Sequence, residues 1–333
     1  MEREVVLEAK NVKKYFPVKG NFGRIVNNVK AVDDVSLKLY RKETLGLVGE
    51  TGCGKSTLGR TLLKLLEPTA GQILLNGMDI TDLSASQMRP YRREIQMVFQ
   101  DPYTSLNPKK KVGQILEEVL AIQKFEGDKQ EVAMEILGKV GLRKEHYYRY
   151  PHEFSGGQRQ RIGLARALIL DPKIIVCDEP VSALDVSIQA QIINLLQDLQ
   201  ESKDLSYLFI AHDMSVVKYI STRIAVMYLG HIVEEAATDD LFGMTMHPYA
   251  QALLSAVPST NPHVRKSRIV LEGDVPSPLN PPKGCVFHTR CPYAMPICKE
   301  NPPCTREITP GHTVACHLYD NENEKNKVEA EHI

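Results

Sequence analysis

The string "LGLVGETGCGKST" constrains this chain more than any other stretch. An apolar run ends at Gly49, and Gly54, Lys55 and Ser56 then open a segment with helical leucine spacing. Leu58, Leu62, Leu65 and Leu66 share a face of that helix, which Pro68 and Gly71 should stop. Glycines let the backbone curl so that successive N–H groups converge, and a helix N-terminus behind them adds its positive end. A phosphate fits there. The predicted cradle is Gly49, Glu50, Thr51, Gly52, Cys53, Gly54, Lys55, Ser56 and Thr57. Lys55 would reach the β- and γ-phosphates of a nucleotide, and the Ser56 hydroxyl would hold Mg²⁺. Strand, loop and helix in this order belong in an α/β fold.

Two further stretches extend the site. "KIIVCDEP" places Asp178 at the end of a buried strand, where a carboxylate on the metal is needed. Glu179 follows, and the two-residue period of a strand turns it the other way, towards a water that could attack the γ-phosphate. Cys53 and Cys177 lie inside these motifs as small packing residues. In "EFSGGQRQRIGLARALIL", Ser155, Gly156, Gly157 and Gln158 start a strong helix, a second place for an anion. A chain with one phosphate loop has no obvious use for it, unless it completes the pocket of a partner subunit.

Elsewhere the pattern is that of a covered sheet. Residues 1–50 read as a small sheet built from "REVVLEAKNV", "AVDDVSLKLY" and "ETLGLVGE", and "GQILLNGMDI" as strands joined at Asn-Gly. Residues 105–165 read as mainly helical, and strands at 173–178 and 206–211 flank a helix, which predicts a parallel sheet. After about residue 235 order is expected to weaken, through a short helix in "HPYAQALLSAV" and a proline-rich linker, to a disordered charged end. Lys+Arg and Asp+Glu both number 41, so no excess positive charge points to nucleic acid. The N-terminus lacks the apolar core of a signal peptide, and no run approaches the ~18–20 apolar residues that span a bilayer. A soluble, cytosolic chain is expected, in which stable disulfides are improbable.

The serine-glycine string resembles the signature of ATP-binding cassette (ABC) ATPases, and the family's other marks follow in order. By that resemblance Phe16, in "KKYF", stacks on adenine, with Tyr15 as its neighbouring alternative. Gln100, in "QMVFQDP", reaches Mg²⁺ and the attacking water, and shares the metal with Ser56 and Asp178. Asp185, in "SALD", communicates across a dimer, and His212, in "IAHD", contacts the γ-phosphate. Phe154 stands where the signature usually begins with Leu. The resemblance implies a P-loop NTPase with a parallel core sheet, an N-terminal antiparallel β subdomain and a helical subdomain at about 101–165. ATP would lie between the phosphate loop of one subunit and Ser155 to Gln158 of another. Binding would close the dimer, and hydrolysis with Glu179 as general base, aided by His212 and Gln100, would reopen it. "DPYTSLNP" lies where a surface coupled to a membrane subunit is expected.

"GETGCGKSTLGR", "FQDPYTSLNP", "DEPVSALDVSIQAQIINLL" and "HPYAQALLSAVP" together look like the ATPase subunits of dipeptide and oligopeptide importers, closer to the F-type partner than to D. That implies a domain at 1–235, an extension at 236–320 and a charged tail at 321–333. It also implies a second, non-identical ATPase (a homodimer being possible in isolation), two transmembrane permease subunits, an extracytoplasmic peptide-binding protein and a place on the cytoplasmic face of the membrane. No nucleic-acid partner is implied, and the long coiled-coil insertions of DNA- or ribosome-directed relatives are absent. An iron–sulfur redox sensor with a secondary cassette is a competing reading.

The cysteines of "GCVFHTRCPYAMPICKENPPC" and Cys316 remain, within 284–317. The segment is too proline-rich to bury much apolar core, and a metal centre could hold it together. By the same resemblance Cys285, Cys291, Cys298 and Cys316 would ligate a [4Fe–4S] cluster, with Cys304 outside the pattern. Spacing alone does not choose the metal. Structural zinc favours closer pairs, although His288, His312 and His317 offer further ligands, and free thiols are the remaining possibility.

Overall fold

The computed structural model describes residues 3–20, 23–101, 105–257 and 268–320. The tail expected at 321–333, part of the proline-rich linker and part of "DPYTSLNP" lie outside them. Strands β1 (Val5–Lys19) and β2 (Ile25–Tyr40) pair antiparallel. The run "ETLGLVGE", assigned above to the same small sheet, instead forms β3 (Thr44–Val48), which is fully buried and belongs to a larger sheet. Its residues are apolar on both faces, and only an interior position covers both.

After β3 comes the phosphate-loop helix, Lys55–Leu62. It is shorter than its leucine spacing suggests. Leu58 and Leu62 are fully buried, whereas Leu65 lies beyond the helix end and is 46% exposed. β4 (Ala70–Leu75) and β5 (Met78–Asp79) then turn at Asn76-Gly77, both with positive φ, as an Asn-Gly hairpin requires. The small sheet has the order β2-β1-β4-β5.

The larger sheet adds β6 (Ile95–Val98), β7 (Ile174–Asp178), β8 (Ser206–Ala211), β9 (Arg223–Tyr228) and β10 (His231–Ala237). β6, β7, β8, β3 and β9 are mutually parallel, and β10 runs antiparallel to β9. Alternation along each parallel strand divides two cores. Ile174 and Val176 of β7, with Leu208 and Ile210 of β8, pack with Leu58, Leu62 and the small sheet. Ile175, Cys177, Tyr207 and Phe209 face the helical side, where Phe154 is also buried. An aromatic in place of the usual leucine is therefore absorbed by packing.

The segment between β6 and β7 is helical as expected, with helices Val112–Ile122, Lys129–Lys139 and Gly156–Leu168. The helix Val186–Lys203 then crosses over from β7 to β8. Among the described residues, regular structure continues past residue 235. β10 continues to Ala237, the helix Pro248–Ser255 packs into the helical-side core, and β11 (Thr305–Thr309) with β12 (His312–Ala315) forms a hairpin on the edge of β10. The sheet order is β11-β12-β10-β9-β3-β8-β7-β6. The hairpin is pinned by Glu234, whose buried carboxylate meets His312 Nε2 at 2.8 Å and accepts from the Met246 and His247 amides.

Candidate active site

Gly49 to Ser56 follow the end of β3, and tertiary approach explains two of the glycines. A Cβ on Gly54 would lie 2.0 Å from the Ala31 carbonyl oxygen, and its φ of +108° is open to glycine alone. A Cβ on Gly49 would lie 2.1 Å from the Met227 carbonyl oxygen. Lys55 is buried, its Nζ donating to the carbonyls of Gly49 (2.8 Å) and Glu50 (2.9 Å). Cys53 is buried against the loop, and burial raises its pKa, consistent with a packing role. Thr51 and Gly52 are exposed, and Ser56 and Thr57 are half-buried at the helix start.

The carboxylates divide, although not by strand alternation, since β7 ends at Asp178 and Glu179 follows it in a left-handed turn. Asp178, fully buried, accepts from Ser56 Oγ at 2.5 Å and stands 3.4 Å from the Arg60 guanidinium. Glu179 turns to the other side. Its φ of +46° is a left-handed backbone that costs a non-glycine residue about 1–2 kcal/mol, and its N–H is held by the Ile210 carbonyl at 3.0 Å. Gln100 Nε2 donates to Glu179 Oε2 at 2.8 Å, and His212 Nδ1 lies 3.4 Å from the same oxygen. Three residues from β6, β7 and β8 ends thus meet at one carboxylate. A cleft of about 40 Å³ opens beside Glu179 and His212, more than the ~10–15 Å³ that one water needs.

Phe16 is 37% exposed on β1 and pairs in register with Val29, two residues before the Ala31 carbonyl that abuts Gly54. Tyr15 is turned away, its hydroxyl donating to Asp33. Ser155 caps the helix Gly156–Leu168, exchanging hydrogen bonds with Gln158 at 3.1 and 3.4 Å. Gly156 and Gly157 lie half-exposed against Leu184 and Ile188. Asp185 is exposed at the N-cap of Val186–Lys203, its carboxylate making no capping bond. Beside Gln100 runs an open groove of about 550 Å³, lined by Leu65, Arg92, Phe99, Val119 and Arg166 among others.

In the cysteine segment Cys285, Cys298 and Cys316 are buried, Cys291 is half-buried and Cys304 is exposed. Burial pushes the Cys285 thiol up to about 11 and that of Cys316 up to about 12, and raises Cys291. Neighbouring thiols add to these three shifts. Among the described residues, however, no group of three or more His, Cys, Asp or Glu side chains is arranged to hold a metal ion, so the expected ligand set is not brought together as a metal site. The histidines are engaged elsewhere. His317 uses both ring nitrogens, on Asp320 and the Asn301 carbonyl, His312 is spent on Glu234, and His288 Nδ1 meets the Cys285 carbonyl.

A family model for ABC transporters matches residues 32–182, and one for the C-terminal region of oligopeptide/dipeptide transporters matches residues 233–298. The oligopeptide transport ATP-binding protein AppF of Bacillus subtilis is 57% identical over 95% of this chain and 98% of its own length. The chain belongs to the ABC ATPases of oligopeptide and dipeptide transporters. The dipeptide transport ATP-binding protein DppF of Haemophilus influenzae is 50% identical, over 96% of this chain and 98% of its own. Among solved structures, the dimeric ATP-binding cassette MJ0796 bound to ADP and Pi superposes with a TM-score of 0.63 at 27% identity, covering 70% of this chain and 98% of that one. As an ABC ATPase the chain couples ATP hydrolysis to transport, and such a subunit works as a dimer with transmembrane permeases. Among its own described residues no helix is long and apolar enough to cross a membrane.

Reading along the sequence missed two residues of this ABC ATPase that touch the phosphate loop. Tyr249 accepts a hydrogen bond from the Glu50 N–H at 2.8 Å, and Arg290 pairs with the Glu50 carboxylate at 2.7 Å. Both stood in quoted strings, yet no spacing marks them, because their partner lies some two hundred residues away.

Proposed function

We propose that the chain is the F-type ATPase of a dipeptide or oligopeptide importer, bound to the cytoplasmic face of the membrane. Its working dimer pairs it with a second, non-identical cassette beneath two permease subunits, fed by an extracytoplasmic peptide-binding protein. ATP lies on Gly49–Thr57, with Phe16 against the adenine, and Ser155, Gly156, Gly157 and Gln158 close the partner's site. Glu179 takes the proton of the attacking water, Gln100 and His212 orient it, and Asp185 senses the opposing subunit. Ser56, Asp178 and Gln100 hold Mg²⁺, which neutralises phosphate charge. The observation that carries the reading is the convergence of Gln100 and His212 on Glu179, one strand position beyond the Ser56–Asp178 pair. The exposed signature supports a site shared between subunits, since the helix it begins packs among the helical subdomain, β6 and Val186–Lys203.

The groove beside Gln100 is where a permease would dock, at the edge of the expected coupling surface. For the cysteines, the family pattern and the burial of Cys285, Cys298 and Cys316 support a [4Fe–4S] cluster held by these three with Cys291, Cys304 standing outside. Bound there, it would be held by four thiolates and would tie the segment together. The test is co-purification with permease and second cassette, followed by ATP turnover with and without the peptide-loaded binding protein. Stimulation by loaded protein is expected; an active, strictly monomeric preparation overturns the reading. Absorption of protein purified without oxygen tests the cluster, colourless iron-free protein counting against it.

A further inference from the structure

Glu50 is the second residue of the phosphate loop, and the C-terminal extension holds it twice. Arg290 Nη1 and Nη2 donate to Glu50 Oε2 and Oε1 at 2.7 and 3.2 Å, a two-point pair in which the arginine side chain is 7% exposed. The Glu50 N–H donates to Tyr249 Oη, so it is not among the amides offered to a phosphate. Its carbonyl is held by Lys55 and by the Cys53 N–H at 3.2 Å. The tie to Lys55 draws on the group that must reach the phosphates, whereas Arg290 and Tyr249 act independently of the nucleotide.

Arg290 is itself built in. It neighbours Cys291, its N–H bonds the Phe287 carbonyl at 3.0 Å, and Phe287 is buried against Tyr228, Tyr249 and His247. The Tyr228 hydroxyl lies near the guanidinium without a well-aligned hydrogen bond. The cysteine segment and the phosphate loop are thus joined through a fork of fixed geometry, one that a lysine cannot reproduce.

We propose that Arg290 is a positioning residue for the ATP site: by clamping the Glu50 carboxylate it sets the shape of the phosphate loop, so the cysteine segment governs the affinity for ATP. The proposal rests on ATP binding at Gly49–Ser56 and adds to it a control point outside the cassette's own motifs. A merely structural arginine would alter melting without altering the ATP dependence of the folded protein.

The experiment measures MgATP binding and the KM and kcat of hydrolysis by the full chain with its partner cassette. Arg290→Met should raise Kd and KM about tenfold while kcat stays within about twofold, and Arg290→Lys should fall between, keeping charge but not the fork. In a Glu50→Gln background, itself weakened for ATP, Arg290→Met should add little, because both changes cut one link. Unchanged KM in folded Arg290→Met, or effects that multiply in full, overturns the proposal. If Arg290→Met does not fold, Arg290→Lys and Glu50→Gln decide, and normal KM in both refutes it. Failure of the unaltered chain to bind MgATP would instead strike the reading of the phosphate loop.

Discussion

The phosphate loop and the signature loop are both glycine-rich turns ahead of a helix, yet the chain treats them differently. The first is braced on every side: Lys55 binds back to its carbonyls, Gly230 donates to the Cys53 carbonyl, and Tyr249 and Arg290 hold Glu50. The second has its own capping box and little else, with Ser155 and Asp185 exposed. A helix N-terminus of either kind can take an anion. The braced one is prepared to bind within the chain, while the open one, with Ser155 exposed and Gly156 and Gly157 half-exposed, is accessible to a ligand held elsewhere. That contrast supports the proposed division of the site between two subunits.

The sharpest separation of binding from chemistry comes from Glu179→Gln. Loss of the base should lower hydrolysis about 10²–10⁴-fold while MgATP binding to the phosphate loop stays within about twofold. Lost binding would mean that the two carboxylates at the end of β7 do not divide their roles. Ser155→Arg addresses the open loop. Turnover by the assembled dimer should drop about 10²-fold, with MgATP affinity of the separate chain unchanged. A weakened separate chain would show that the two loops serve one site.

Two smaller effects probe the bracing. Burial pushes His247 down to about 3, and its neutral Nδ1 accepts from the Tyr249 N–H at 3.1 Å. The unfolded chain, with an ordinary histidine near 6.5, takes up the proton first, so stability is full above that pH and falls as pH drops below it. Between neutrality and pH 5 the loss from this group is ~2 kcal/mol, and His247→Asn, which can still cap the helix, should remove it. Urea midpoints of both chains at the two pH values give the difference, and parallel pH profiles would exclude the histidine as the cause. Least is expected of Asp128→Ala, which removes the cap of Lys129–Lys139, where Asp128 accepts from the Gln130 and Glu131 amides at 2.9 and 3.1 Å. It should cost ~1 kcal/mol in thermal or urea unfolding and leave the KM for ATP unaltered. A changed KM would show that the helical subdomain also braces the loop.

Much of this was legible in residue order because it depends on local chemistry. A phosphate loop is nine consecutive residues. The place of Asp178 at the end of a buried strand follows from the apolar run before it, and the start of the helix at Gly156 from a serine that caps it. Leu65 misled, since its spacing continued a helix that had already ended at Leu62. The run at Thr44–Val48 was read as a strand but given to the wrong sheet, because an apolar pentapeptide does not say which neighbours cover it.

What order alone determined, then, is the phosphate loop with its following helix and the buried strand that ends at Asp178. Tertiary structure decided which of them are braced. It carried β11 and β12 to the edge of β10, buried Cys285, Cys298 and Cys316 while leaving Cys304 exposed, and brought Tyr249 and Arg290, 199 and 240 residues along the chain, onto Glu50. Contacts at that separation have no period in the sequence, and only the packing of the extension against the parallel sheet brings them into reach.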